Sequence, residues 1–133
     1  GQLASAASQV AEVEQKIDIA AIMALGDVAS GEKIFKKCAA CHSIDKGGKN
    51  KIGPALYNVV GRAVGGVDDY KYSKALASYG KEWSFEELNG FLKKPASYLK
   101  GTKMSYAGLR KEKDRASVIK YLNQSSDSPK QLP

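Results

Sequence analysis

Histidine, cysteine, methionine and tryptophan are scarce in this 133-residue chain, which has one His, two Cys, two Met and one Trp. The lone His and both Cys fall between Cys38 and His42, in "IFKKCAACHSIDKGG". One His excludes a site built on a histidine pair within a single chain. A structural zinc of the usual Cys/His type is one ligand short. No apolar run approaches the roughly 20 residues of a membrane-spanning helix. No stretch alternates apolar with polar residues long enough to argue for a sheet, and no internal repeat is visible.

What is present suits a water-soluble domain: 43% hydrophobic and 26% charged residues, enough for one core that buries about two thirds of the unfolded chain's surface without disulfides. The net charge of +7 is unevenly placed. Residues 1–30 set Lys16 against Glu12, Glu14, Asp18 and Asp27, so the positive field belongs to the remainder. Lysines cluster at Lys36, Lys37, Lys46, Lys49 and Lys51, at Lys93, Lys94, Lys100 and Lys103, and at Lys111 and Lys113. Such a field favours acidic proteins, anionic lipid or nucleic acid, or is a solvated surface kept for solubility. Aromatics are not interleaved with the basic residues, which argues against nucleic acid.

The chain opens on Gly1 rather than Met, which reads as a mature or trimmed product and is compatible with an upstream signal or anchor. Residues 1–15 are expected to be a mobile leader, and 17–25 a short apolar segment that docks on the domain. Ser30 is expected to cap a helix from about Gly31 through the Cys motif, with Ile34, Phe35 and Cys38 on one side. Glycines punctuate an irregular stretch from Lys46 to Gly66. A short helix is expected over Tyr70–Tyr79. Ser84 to Glu87 forms an S-x-x-E capping box ahead of Leu88, Phe91 and Leu92, and Pro95 stops that helix. The last helix runs from about Glu112 to Gln124 on a stripe of Val118, Ile119 and Leu122. Residues 125–133 are expected to fray as a flexible polar tail. The result is an all-α domain of four to five short helices whose long loops wrap something.

On a helix, Cys38, Cys41 and His42 stand at i, i+3 and i+4 and project toward one object. A thioredoxin-like disulfide expects a preceding strand and a βαβ context. A covalent haem explains all three residues: two thioethers to the vinyl groups and an imidazole on the iron. A second axial ligand then has two candidates. Met23 lies in the apolar leader segment and reads as packing. Met104 sits in "YLKGTKMSYAGL" between Gly101 and Gly108, and is the expected sixth ligand. An iron with both positions filled favours electron transfer over catalysis. A peroxidase-like enzyme that releases Met104 is the rival, and a basic lipid- or nucleic-acid-binding module is a second one.

The segments "GDVASGEKIFKKCAACHSIDKGGKNKIGPALYNVVGR", "YKYSKAL", "FLKKPASYLKGTKMSYAGL" and "DRASVIKYL" resemble class I cytochrome c of the mitochondrial and alphaproteobacterial type. "IDIAAIMALGDVASGEKIF" is similar to membrane-anchored bacterial members. The resemblance implies the cytochrome c fold around one haem c, with residues 1–25 as the end of a tether and 26–124 as the haem domain. It implies that the Pro54 carbonyl accepts from His42, that Arg62, Tyr72 and Trp83, with Tyr70 as a further candidate, serve the haem propionates, and that Thr102 braces the Met104 loop. Gly31 and Phe35 are expected to meet Tyr121 and Leu122. Two positions depart from the pattern: Phe91 where a tyrosine is common and Leu76 where an asparagine is common, so the Met104 pocket is expected to be drier. The implied function is a monomeric carrier between the cytochrome bc1 complex and a terminal cytochrome oxidase, docking through its lysines. The implied place is the periplasmic face of a bacterial inner membrane, or alternatively the mitochondrial intermembrane space.

Overall fold

Gly31 has no room for a side chain. A Cβ there would collide with the carbonyl of Ser117 and stand 2.9 Å from Cβ of Tyr121, so the glycine lets two helix backbones meet. The computed structural model describes residues 19–133. Its helices are α1 (Val28–Phe35), α2 (Lys74–Ala77), α3 (Phe85–Lys93), α4 (Pro95–Tyr98) and α5 (Glu112–Gln124), preceded by a helical turn over 19–24. Among the described residues the β-structure is a single isolated bridge, Ala63 with Glu82. The all-α expectation holds.

The crossing of α1 on α5 organises the domain. Phe35 packs on Tyr121 with ring centroids 5.5 Å apart, and Ala116, Val118, Ile119 and Leu122 of α5 are all buried. Val118, Ile119 and Leu122 are the apolar stripe of the sequence, and α5 has the bounds expected for it. The turn over 19–24 also docks here: Ile19 and Met23 are buried, the Asp27 amide donates to Ser117 Oγ at 3.1 Å, and Lys120 Nζ donates to the Gly26 carbonyl at 2.9 Å. Met23 is therefore a packing residue. The leader expected over 1–15 lies outside the described residues.

Two helix starts differ from expectation. Asp27, not Ser30, caps α1: its carboxylate accepts the Ser30 amide and the Ser30 hydroxyl, each at 2.8 Å. A charged acceptor outcompetes a hydroxyl at the positive end of a helix. These bonds hold Asp27 below the ordinary carboxylate range. At α3 only half of the capping box forms. Ser84 Oγ accepts the Glu87 amide at 3.1 Å, whereas the Ser84 amide donates to the Glu82 carbonyl. The Glu87 carboxylate instead accepts the hydroxyls of Tyr79 and Tyr98, each at 2.7 Å. Pro95 ends α3 and opens α4, where its missing N–H is no loss. The helix expected over Tyr70–Tyr79 shrinks to α2, capped by Ser73.

The C-terminal tail, expected to fray, is hydrogen-bonded to the domain. Asp127 accepts from Tyr57 Oη and Asn58 Nδ2, each at 3.1 Å, and pairs with Lys46 Nζ at 3.0 Å. Its amide donates to Asn58 Oδ1 at 2.8 Å, and Asn123 and Lys130 exchange two further bonds. Thus α1, α3 and α5 form a frame, and the long loops 36–73 and 99–111 close over its open side.

Candidate functional site

The Cys motif lies one turn past α1, not within it as expected. Phe35 ends the regular helix, and the chain continues in tight turns. The Cys38 amide donates to the Phe35 carbonyl at 2.8 Å, and the Cys41 and His42 amides both donate to the Cys38 carbonyl, at 3.1 and 3.0 Å. The Cys41 carbonyl accepts the Gly53 amide at 2.8 Å, which ties the motif to the loop that follows it. The i, i+3, i+4 relation survives locally, and Cys38, Cys41 and His42 all line one cavity.

His42 is fixed by the loop that crosses it. Its Nδ1 stands 2.7 Å from the Pro54 carbonyl; a carbonyl only accepts, so Nδ1 carries the proton and the Nε2 lone pair is left for a metal. Burial lowers the pKa of the imidazole, and Arg62 and Lys51 add to this against the opposing Pro54 bond. The ring is neutral at physiological pH, as a ligand must be. Burial pushes the Cys38 thiol up, Cys41 adds to that, and Lys37 opposes it.

The cavity has a volume of about 450 Å³ and brings together every residue that the sequence nominates. Cys38, Cys41 and His42 share its wall with Met104, as do Pro54, Arg62, Tyr70, Tyr72, Trp83 and Thr102. The Met104 amide donates to Thr102 Oγ1 at 3.3 Å. Trp83 and Phe91 pack at a tilt in the wall with centroids 5.1 Å apart, and Leu76 adds apolar surface. Sequence reasoning missed Tyr106, Ser73 and Ile52, which also line the cavity. Tyr106 stands two residues past Met104 on the same loop, a signal that proximity to the ligand candidate offers.

The polar groups differ in what they can still donate. Arg62 Nη1 donates to the Ala55 carbonyl at 2.9 Å, but its Nε is buried without a partner. Burial lowers the Arg62 pKa, yet a guanidinium stays charged in the physiological range. Tyr72 Oη accepts the Val67 amide at 3.1 Å, which leaves its own proton free. Tyr70 Oη donates its proton to the Ile52 carbonyl at 2.7 Å and has none left to give.

These features fit a haem. The wall is mostly apolar, as a flat macrocycle requires. A cation with an unpartnered N–H and a free phenol proton suit carboxylate side groups. Both cysteines are unpaired, and the imidazole presents a lone pair. Among the described residues no group of three or more His, Cys, Asp or Glu is placed to hold a metal ion. Among them, too, no helix is long and apolar enough to cross a membrane.

Comparison with known proteins agrees. The cytochrome c family model matches residues 28–126. The chain is 47% identical over 110 residues to a cytochrome c homolog of Rickettsia typhi, a match that covers 83% of the chain and 63% of that protein. It is 45% identical over 106 residues to cytochrome c2 of Agrobacterium tumefaciens, covering 77% of the chain and 96% of the relative. Cytochrome cH from Methylobacterium extorquens has a similar structure, with a TM-score of 0.70 at 40% identity, over 74% of this chain and 99% of that one. The chain therefore spans less than two thirds of its Rickettsia relative but nearly all of the Agrobacterium one. It belongs to the cytochrome c family, electron carriers rather than enzymes, and holds one haem c covalently through Cys38 and Cys41.

Proposed function

We propose that this chain is the electron-carrying domain of a periplasmic protein that accepts electrons from the cytochrome bc1 complex and delivers them to a terminal cytochrome oxidase. The observation that carries the reading is that Met104 shares one cavity wall with Cys38, Cys41 and His42. A covalently held haem supplies an iron that cycles between two oxidation states.

The residues around it bind, orient and insulate. His42, held by Pro54, and Met104, on the loop braced by Thr102, would hold the iron of a bound haem. Arg62, Tyr72 and Trp83 hold the propionate side. Phe91 and Leu76 exclude water near Met104. Lys37 and Lys103 lie at the cavity wall, and Lys36, Lys49 and Lys51 are exposed nearby in sequence. This basic face steers encounter with acidic partner surfaces, and the complexes are small and transient because a carrier must leave as readily as it arrives. Residues 1–25 are the end of a linker to a membrane anchor, as their resemblance to anchored proteins implies, and 26–124 are the haem domain.

Two measurements on the holoprotein test the reading. Cyanide and carbon monoxide binding at neutral pH should be negligible over minutes; ready binding supports the peroxidase-like rival instead. Electron delivery to a purified oxidase should slow steeply as salt rises, and a flat salt profile would reduce the lysines to a solubilising surface.

A further inference from the structure

Arg115 is 3% exposed, yet no carboxylate pairs with it. Among the described residues the ion pairs are Lys46 with Asp127 and Lys81 with Glu87. The Arg115 guanidinium donates to three neutral oxygens instead: Nε to Asn89 Oδ1 at 2.7 Å, and Nη1 to the carbonyls of Leu109 and Arg110, each at 2.8 Å. The charge of Glu112 supports it from beyond pairing distance, but taking most of a guanidinium out of water is costly, and an apolar side chain of similar volume would fill the place with less penalty. Core packing alone therefore does not account for an arginine here.

The three acceptors lie on two different elements. Asn89 is on α3, and Leu109 and Arg110 close the loop that carries Met104, so Arg115 joins both to its own helix, α5. The Leu109 amide also donates to the Leu92 carbonyl of α3 at 2.7 Å. At the other end of the loop, the Thr102 amide donates to the Leu99 carbonyl at 3.0 Å, and Lys103 Nζ reaches the Lys71 carbonyl at 3.1 Å. Met104 is only partly buried. Its placement depends on how firmly the two ends of the loop are tied.

We propose that Arg115 is a positioning residue for Met104: its fork clamps the end of loop 99–111 to α3 and α5, and so holds the thioether in the cavity. The inference rests on the reading of Met104 as an iron ligand. The work is done by the planar fork, not by the charge, because an ammonium in the same place cannot reach Asn89 and two successive carbonyls together.

The test uses holoprotein variants Arg115→Lys and Asn89→Ala, with Ile119→Val as a stability control and Met104→Ala as the ligand control. Readouts are the charge-transfer absorption of methionine-ligated ferric haem, the pH at which it is lost, and the rate of cyanide binding at neutral pH. Arg115→Lys should bind cyanide about tenfold faster, the effect of one lost hydrogen bond of the fork, and lose the absorption about one pH unit lower, with helical content unchanged. Asn89→Ala should move the same quantities in the same direction, and it carries the test if Arg115→Lys fails to fold. Wild-type kinetics in these variants overturn the inference, as does equal acceleration in Ile119→Val at matched thermal stability. If Met104→Ala keeps the absorption, the ligand reading fails and the inference with it. If Met104→Ala abolishes the absorption while Arg115→Lys leaves every readout unmoved, the inference alone fails.

Discussion

The imidazole of His42 lies directly on the backbone of Gly53. A Cβ at Gly53 would collide with Cε1 and stand 2.8 Å from each ring nitrogen, while the next residue, Pro54, provides the acceptor for Nδ1. One dipeptide thus sets both the distance and the orientation of the imidazole. Gly53→Ala should force the ring or the loop to shift, at a cost of about 1–3 kcal/mol. The expected outcome is a lower yield of covalently attached haem and a lower melting temperature of the holoprotein. Unchanged attachment and melting would show that the loop yields freely.

Phe91 is 5% exposed and tilted against Trp83. No hydroxyl stands at this position of the cavity wall, so this residue gives the Met104 sulfur no hydrogen bond. With Met104 as the ligand proposed above, a sulfur free of such a bond would donate more strongly to ferric iron. Phe91→Tyr should therefore raise the reduction potential, as measured by equilibrium redox titration. A fall, or no change with the fold intact, would remove the argument. The new hydroxyl must find a partner, since an unpaired one costs about 1–3 kcal/mol.

What the sequence made legible follows physical rules of short range. The stripe of Val118, Ile119 and Leu122 located α5 with its observed bounds because one periodic face packs on one partner. The start of α1 was misplaced because Asp27 and Ser30 are both capping residues three positions apart, and only the geometry shows which one accepts. The tail contacts were invisible for another reason. Asp127 meets Asn58, which has a φ of +67°, and no periodicity reports a pairing so distant in sequence. Likewise Ser73 and Ile52 enter the cavity wall through loop paths that only the assembled frame determines.

Glu87 joins α3 to two tyrosines from separate segments. The Tyr98 pKa lies above the ordinary tyrosine value, chiefly through burial and then through its bond to Glu87; Tyr79 is raised in the same way. A raised folded-state pKa means that the neutral phenol supports the fold below about pH 10, and that this support is lost as pH climbs beyond it. Glu87→Gln should lower stability by about 1–3 kcal/mol at neutral pH, since two bonds to a charged acceptor weaken. It should also let Tyr98 ionise at lower pH, which flattens the alkaline decline in stability. Ultraviolet titration of tyrosinate, with melting curves at neutral and alkaline pH, checks both; identical titration in the variant would exclude Glu87 as a cause.

Asp127 holds the tail by acting as an anion. Its pKa is depressed by its hydrogen bonds to Asn58, Lys46 and Tyr57. A depressed folded-state pKa contributes stability above the unfolded carboxylate value of about 3.9, and that contribution disappears as pH falls through the folded value. Tail docking in the wild type should therefore persist through neutral pH and fail in acid below that value. Asp127→Asn keeps the Asp127 amide bond to Asn58 Oδ1 but weakens the side-chain contacts. Hydrogen exchange at the amides of Asn58, Asp127 and Lys130 reads the difference. In the variant, protection should be lower at neutral pH and should not change in acid. Equal protection with the same acid dependence would mean that Asn123 and Lys130 hold the tail without help from the carboxylate.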